Sequence, residues 1–141
     1  YSVYQLFPSL NTQLILHFAS LAAVLNLVRE MVKDAEDLEG DYKTGAKTLP
    51  ALWGLSGTNI SVYVILLITT SFTMVSVYFQ SYFFESTLKY VYYAYYLLFI
   101  AFPLYKIAVD IRYARTKEEY TELSTLLKYV LGVGILSMLF F

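Results

Sequence analysis

The apolar residues of this chain fall into four long runs separated by three polar stretches. Each run is near the roughly 20 residues that a membrane-spanning helix needs. They cover residues 10–32, 59–79, 88–109 and 123–140. The pattern predicts an all-α fold, a multi-pass transmembrane helix bundle with four spans. No internal repeat, low-complexity tract or soluble segment interrupts it, so residues 1–141 read as a single transmembrane domain. Pro103 removes one backbone donor within the third run and predicts a kink there.

The polar stretches differ in charge. Residues 29–57 carry four basic side chains, residues 80–89 carry one, and residues 106–121 carry four again. Basic residues accumulate in cytoplasmic loops, so the first and third stretches are expected on the cytoplasmic side of a cell membrane. Composition agrees: 58% of residues are hydrophobic and 15% charged, which disfavours a soluble domain. A net charge of −1 excludes a strongly basic nucleic-acid binder, and the lack of cysteine removes disulfides, thiolate metal sites and cysteine nucleophiles. Aromatic residues gather near the ends of runs (Tyr78, Tyr82, Phe83, Phe84, then Tyr90, Tyr92, Tyr93), as in an interfacial belt. The chain opens on Tyr1 and reads as an internal fragment of a longer protein.

The chemistry is concentrated where the first run ends. Residues 30–41 hold six carboxylates in twelve positions. On a helix at about 100° per residue, Glu30, Asp34, Asp37 and Asp41 share a narrow arc that Asn26 continues one turn deeper, while Glu36 and Glu39 point away. Like charges spaced three and four apart repel by about 0.2–0.5 kcal/mol per pair even in water. A bound divalent cation reverses that repulsion, and an oxygen-only donor set suits Mg²⁺. Mg²⁺ usually keeps several waters and shares carboxylates with substrate phosphates, which points to a phosphate or diphosphate ligand. Arg29 and Lys33 before the stripe, and Lys43 and Lys47 after it, supply cations for the remaining phosphate charge. Gly40 and Gly45 permit close backbone approach. A solvated helix end decorated with charges is the alternative on spacing alone. An EF-hand loop is excluded, because aligning Gly40 with its glycine puts Ala35 where an acid is required.

The segment Arg29-Glu30-x-x-Lys33-Asp34-x-Glu36-Asp37-x-Glu39-Gly40-Asp41-x-x-x-Gly45-x-Lys47-Thr48-Leu49-Pro50 resembles the second aspartate-rich motif of the UbiA superfamily of intramembrane prenyltransferases. It looks closest to the geranylgeranylglyceryl-phosphate geranylgeranyltransferase type. The resemblance implies that these spans are the second half of a roughly nine-span bundle around a cavity open to lipid. It implies transfer of a polyprenyl group from a polyprenyl diphosphate to an acceptor, here a glycerol phosphate lipid precursor, assisted by Mg²⁺. By the same resemblance Asp34, Asp37 and Asp41 are the catalytic, metal-binding acids, and Lys47 contacts the diphosphate. The first motif, of Asn-Asp-x-x-Asp-x-x-x-Asp type, is absent from these residues, so the isolated fragment is expected to be inactive. In such a reaction the metal and lysines stabilise charge on the leaving diphosphate, and a dry cavity with aromatic faces, Tyr42 a candidate, protects the allylic cation.

Other classes remain to be weighed. A cation channel or transporter would use the acids as an ion pathway, although they gather at one membrane edge. A non-catalytic membrane scaffold would show no Mg²⁺ dependence. Arg112 and Arg115 read as topology determinants or as contacts to a phosphate-bearing acceptor. His17 reads as hydrogen-bonded within the bundle, and Asn26 either as a contact to a metal-bound water or as a link to neighbouring helices. Lys106 and Asp110 are spaced for an ion pair, and Gly132-Val133-Gly134 for close helix packing.

Overall fold

The computed structural model describes residues 8–83 and 86–140, and these form an all-helical architecture without a strand among them. The helices are α1 (Pro8–Glu36), α2 (Leu38–Thr44), α3 (Leu49–Gln80), α4 (Ser86–Tyr96), α5 (Phe102–Ile111) and α6 (Lys117–Leu136). A π-helical turn, Leu97–Ala101, joins α4 to α5, and 3₁₀ turns at Ser81–Phe83 and Ser137–Phe140 follow α3 and α6. Among the described residues, four stretches are long and apolar enough to cross a membrane: Leu14–Glu36, Leu49–Gln80, Ser86–Ile111 and Lys117–Phe140.

Each span has two neighbours. Helix α1 packs against α3 and α6, and α5 packs against the same two from the other side. The seam of α1 is Leu25, Val28, Val32 and Ala35, all buried, at the three- and four-residue spacing of one helix face. It meets Leu66 of α3, Ile107 of α5 and Leu127 of α6 in one core. The opposite face of α3 presents exposed Ile60, Ile68, Phe72, Val75 and Phe79, a surface that suits lipid. Within α3, Ser61, Thr69, Thr70, Ser71 and Ser76 each donate their hydroxyl to the carbonyl four residues back. Those bonds leave few polar groups facing hydrocarbon.

The third span departs from the expected simple kink. Pro103 has no N–H for the carbonyl of Phe99, and the register shifts upstream, where the Phe102 N–H reaches Leu97 O, five residues back. Further expectations are corrected. Lys106 and Asp110 form no ion pair among the described residues; both are exposed, and the base precedes the acid, the weaker order. Methyl groups added at Gly132 or Gly134 would meet nothing within 4 Å, so this pair does not mediate close packing among the described residues. Gly134 instead lines a cavity of about 280 Å³ between α1, α3, α4 and α6, together with Leu21, Thr73, Tyr96 and Val130. His17 lines the same cavity and makes edge and tilted ring contacts with Phe18 and Phe72 at 5.6 and 5.5 Å. Of the aromatic group, Tyr78, Tyr82 and Tyr90 are exposed, whereas Tyr92 is buried and bonds to Gln80 at 2.9 Å; Phe84 lies outside the described residues.

Candidate functional site

The acidic segment begins on the last turns of α1 and does not stay on one helix. Asp37 leaves helical geometry, with φ −94° and ψ 12°, and α2 starts after it. Backbone bonds bridge the break: the Asp37 N–H donates to Lys33 O at 2.9 Å and the Asp41 N–H to Asp37 O at 3.0 Å. The acids therefore remain neighbours across the turn. Asp34 is within electrostatic reach of Asp41, Glu30 and Asp37, with Lys33 the opposing charge.

The stripe faces away from the core. At about 100° per residue, Asn26, Glu30 and Asp34 lie roughly half a turn from the buried seam of α1. Asn26, Glu30 and Asp37 are exposed, and Asp34 and Asp41 half-buried. Asn26 thus does not link neighbouring helices among the described residues. A membrane helix face with an amide and two acids on it is not built for lipid; its chemistry suits a polar cavity. Of the two acids expected on the other side, Glu36 accepts from Thr121 Oγ1 of α6 at 2.8 Å and so pins this segment to the bundle.

The basic residues surround the stripe unequally. Arg29 is half-buried, with Nη1 3.3 Å from Glu30 Oε1, and its Nε is buried without a hydrogen-bond partner. Lys33 is half-buried beside Asp34, and Lys43 and Lys47 are exposed beyond the turn. Tyr42 is also exposed, and no described contact directs it into the bundle. Among the described residues no three His, Asp or Glu side chains gather into a group able to hold a metal ion. Among the described residues the stripe by itself is therefore not a complete metal cage. Its donor chemistry, all oxygen, fits a cation that takes one or two carboxylates and completes its shell with water and phosphate oxygens.

The loop after the stripe is shaped by two left-handed glycines. Gly45 has φ 74° and ends α2. Gly54 has φ 76° and ψ 173°, a region essentially restricted to glycine, and bends α3 near its start. Just past that bend lies a buried polar knot that spacing alone does not reveal. The carbonyl of Ala114 accepts from Asn59 Nδ2 at 2.9 Å, Tyr120 OH at 3.1 Å and Arg115 Nη1 at 2.7 Å. Tyr120 OH also donates to Asn59 Oδ1 at 2.8 Å. Arg115 Nη2 reaches Ser56 Oγ at 3.4 Å, and the Arg112 guanidinium lies 5.0 Å from the Tyr63 ring centroid. These two arginines tie the turn between α5 and α6 to α3. The only advance signal was the pair of polar residues, Asn59 and Tyr120, at the edges of apolar runs.

Comparison with known proteins adds named relatives. A digeranylgeranylglyceryl phosphate synthase of Korarchaeum cryptofilum is 32% identical over 129 residues, which is 91% of this chain and 43% of that protein. A protein of the same name from Pyrococcus abyssi is 43% identical over 63 residues, 43% of this chain and 23% of its own length. The chain is similar over most of its length to a protein of that name, and over shorter stretches to others. The resemblance read from the Arg29 to Pro50 motif holds. The chain spans less than half the length of the curated relatives it matches. A third relative of that name, from Thermococcus gammatolerans, is 58% identical over 36 residues, 26% of this chain and 13% of its own length. No protein-family model and no solved structure matches the chain.

Proposed function

We propose that the protein containing this chain transfers a polyprenyl group from a prenyl diphosphate to a glycerol-phosphate-type lipid acceptor within the membrane. The observation that carries the reading is the carboxylate stripe turned away from the packed core of four apolar helices, in a homologue of synthases named for such a lipid. One or two of the carboxylates of Asp34, Asp37 and Asp41 would hold Mg²⁺ together with phosphate oxygens, and the ion when bound neutralises diphosphate charge and so favours its departure. The chain's own cations extend that role. Lys47, Lys43, Arg29 and Lys33 flank the acids, and they stabilise charge that grows on the leaving group. The Arg29 Nε offers a buried donor that no group among the described residues takes. Asn26, one turn deeper, contacts the ligand or its waters. The acidic end lies on the cytoplasmic side, as the basic loops indicate.

The test is a transfer assay on the full-length protein in lipid, with labelled geranylgeranyl diphosphate and geranylgeranylglyceryl phosphate. Chelator-sensitive formation of the ether product is expected. Transfer that persists in excess chelator, or no transfer to this acceptor while an aromatic acceptor is used, contradicts the reading.

A further inference from the structure

Two threonines begin long helices in this chain, and they behave differently. Thr116 starts α6 with a full capping box: its Oγ1 accepts the Glu119 N–H at 3.3 Å, and the Glu119 carboxylate accepts the Thr116 N–H at 3.0 Å. Thr48 starts α3 with the extended backbone of an N-cap, φ −85° and ψ 162°, and its carbonyl accepts the Leu52 N–H at 3.1 Å. Yet its side chain makes no capping bond. A threonine in that position normally satisfies one of the orphan N–H groups of the first turn. The hydroxyl of Thr48 is turned backward instead and donates to Asp41 Oδ2 at 3.4 Å. Pro50 in the first turn removes one N–H that would otherwise need a partner.

The connecting turn converges on the same aspartate. Gly45, in the left-handed region, reverses the chain, and its N–H donates to Asp41 O. The Ala46 N–H donates to that carbonyl at 3.0 Å and Thr44 Oγ1 at 3.2 Å. Asp41 is thus fixed through both backbone and carboxylate. Asp37, by contrast, makes no capping bond with its side chain at the start of α2.

We infer that Thr48 is a positioning residue for Asp41: its hydroxyl holds Oδ2 and sets the carboxylate for a cation shared with a phosphate-bearing ligand. The inference rests on the proposed function, which gives Asp41 its ligand. It assigns the hydroxyl, rather than helix capping, as the reason for a threonine here.

The experiment compares wild type, Thr48→Val and Thr48→Ser as full-length proteins. Binding of labelled geranylgeranyl diphosphate, without acceptor, is titrated with Mg²⁺, and thermal unfolding is followed separately in chelator. Thr48→Val should raise the Mg²⁺ concentration for half-maximal binding about fivefold to tenfold, the loss of an ordinary hydrogen bond rather than a short charge-assisted one, since the contact is 3.4 Å long. Thr48→Ser should restore it, and all three proteins should unfold at the same temperature. An unshifted Mg²⁺ requirement in Thr48→Val overturns the inference while leaving the proposed function intact. So does an equal shift in Thr48→Ser, which would assign the effect to the methyl group. Wild-type binding that ignores Mg²⁺ overturns both readings.

Discussion

Tyr120→Phe removes one oxygen from the buried polar knot around Ala114 O. Tyr120 is 1% exposed and Asn59 2%, so water cannot replace what is lost. The ring and its packing stay, which isolates the hydrogen bond. Asn59 Oδ1 loses its 2.8 Å partner, while Ala114 O keeps Asn59 Nδ2 and Arg115 Nη1. The cost is therefore one unsatisfied buried acceptor, about 1–3 kcal/mol. Asn59→Ala removes the amide, and Tyr120 OH can still donate to Ala114 O at 3.1 Å. The two changes touch one network, so the double variant should be less destabilised than the sum by about 1 kcal/mol. Equilibrium unfolding of the full-length protein in mixed micelles measures all four corners of the cycle. A Tyr120→Phe effect below about 0.3 kcal/mol, or strict additivity, refutes the coupling.

Two glycine substitutions test the backbone account from opposite directions. Gly54→Ala should destabilise the protein by about 1–3 kcal/mol, because φ 76° and ψ 173° are strained for any side chain; a neutral result in the same unfolding assay would contradict the bend. Gly134→Ala should stabilise it by about 0.5–1 kcal/mol, since the added methyl meets nothing within 4 Å and removes a glycine from a helix. Loss of stability there would reinstate close helix packing.

Much of the architecture was legible because it follows from length and hydrophobicity. Four apolar runs became four helices that can cross a membrane. The acidic segment was legible for a different reason: charge at a span's end is conspicuous, and its spacing is informative. What the sequence hid were breaks and pairings. The irregularity at Asp37 interrupts a stretch whose composition is helical throughout, and Gly54 lies inside a helix that was expected to begin only at residue 59. The π turn at Leu97–Ala101 lies upstream of the proline that forces it, so a local reading places the distortion too late. Gly132 and Gly134 mislead because residues two apart on a helix point about 200° from each other, and only Gly134 lines the cavity. The Asn59–Tyr120 bond joins residues 61 apart in sequence, and no periodicity announces such a contact. Arg115 was readable as a loop charge but not as a strut to Ser56.

The central claim is that the stripe acts on a diphosphate through Mg²⁺, and kinetics of the Asp37→Ala and Asp41→Ala variants test it most directly. In the transfer assay on full-length protein, each should lower kcat/KM by at least about a hundredfold, the scale typical of lost electrostatic stabilisation. Unfolding in chelator should be unchanged or slightly harder, because removing one acid relieves repulsion. Undiminished transfer in both variants would contradict the assignment of these carboxylates.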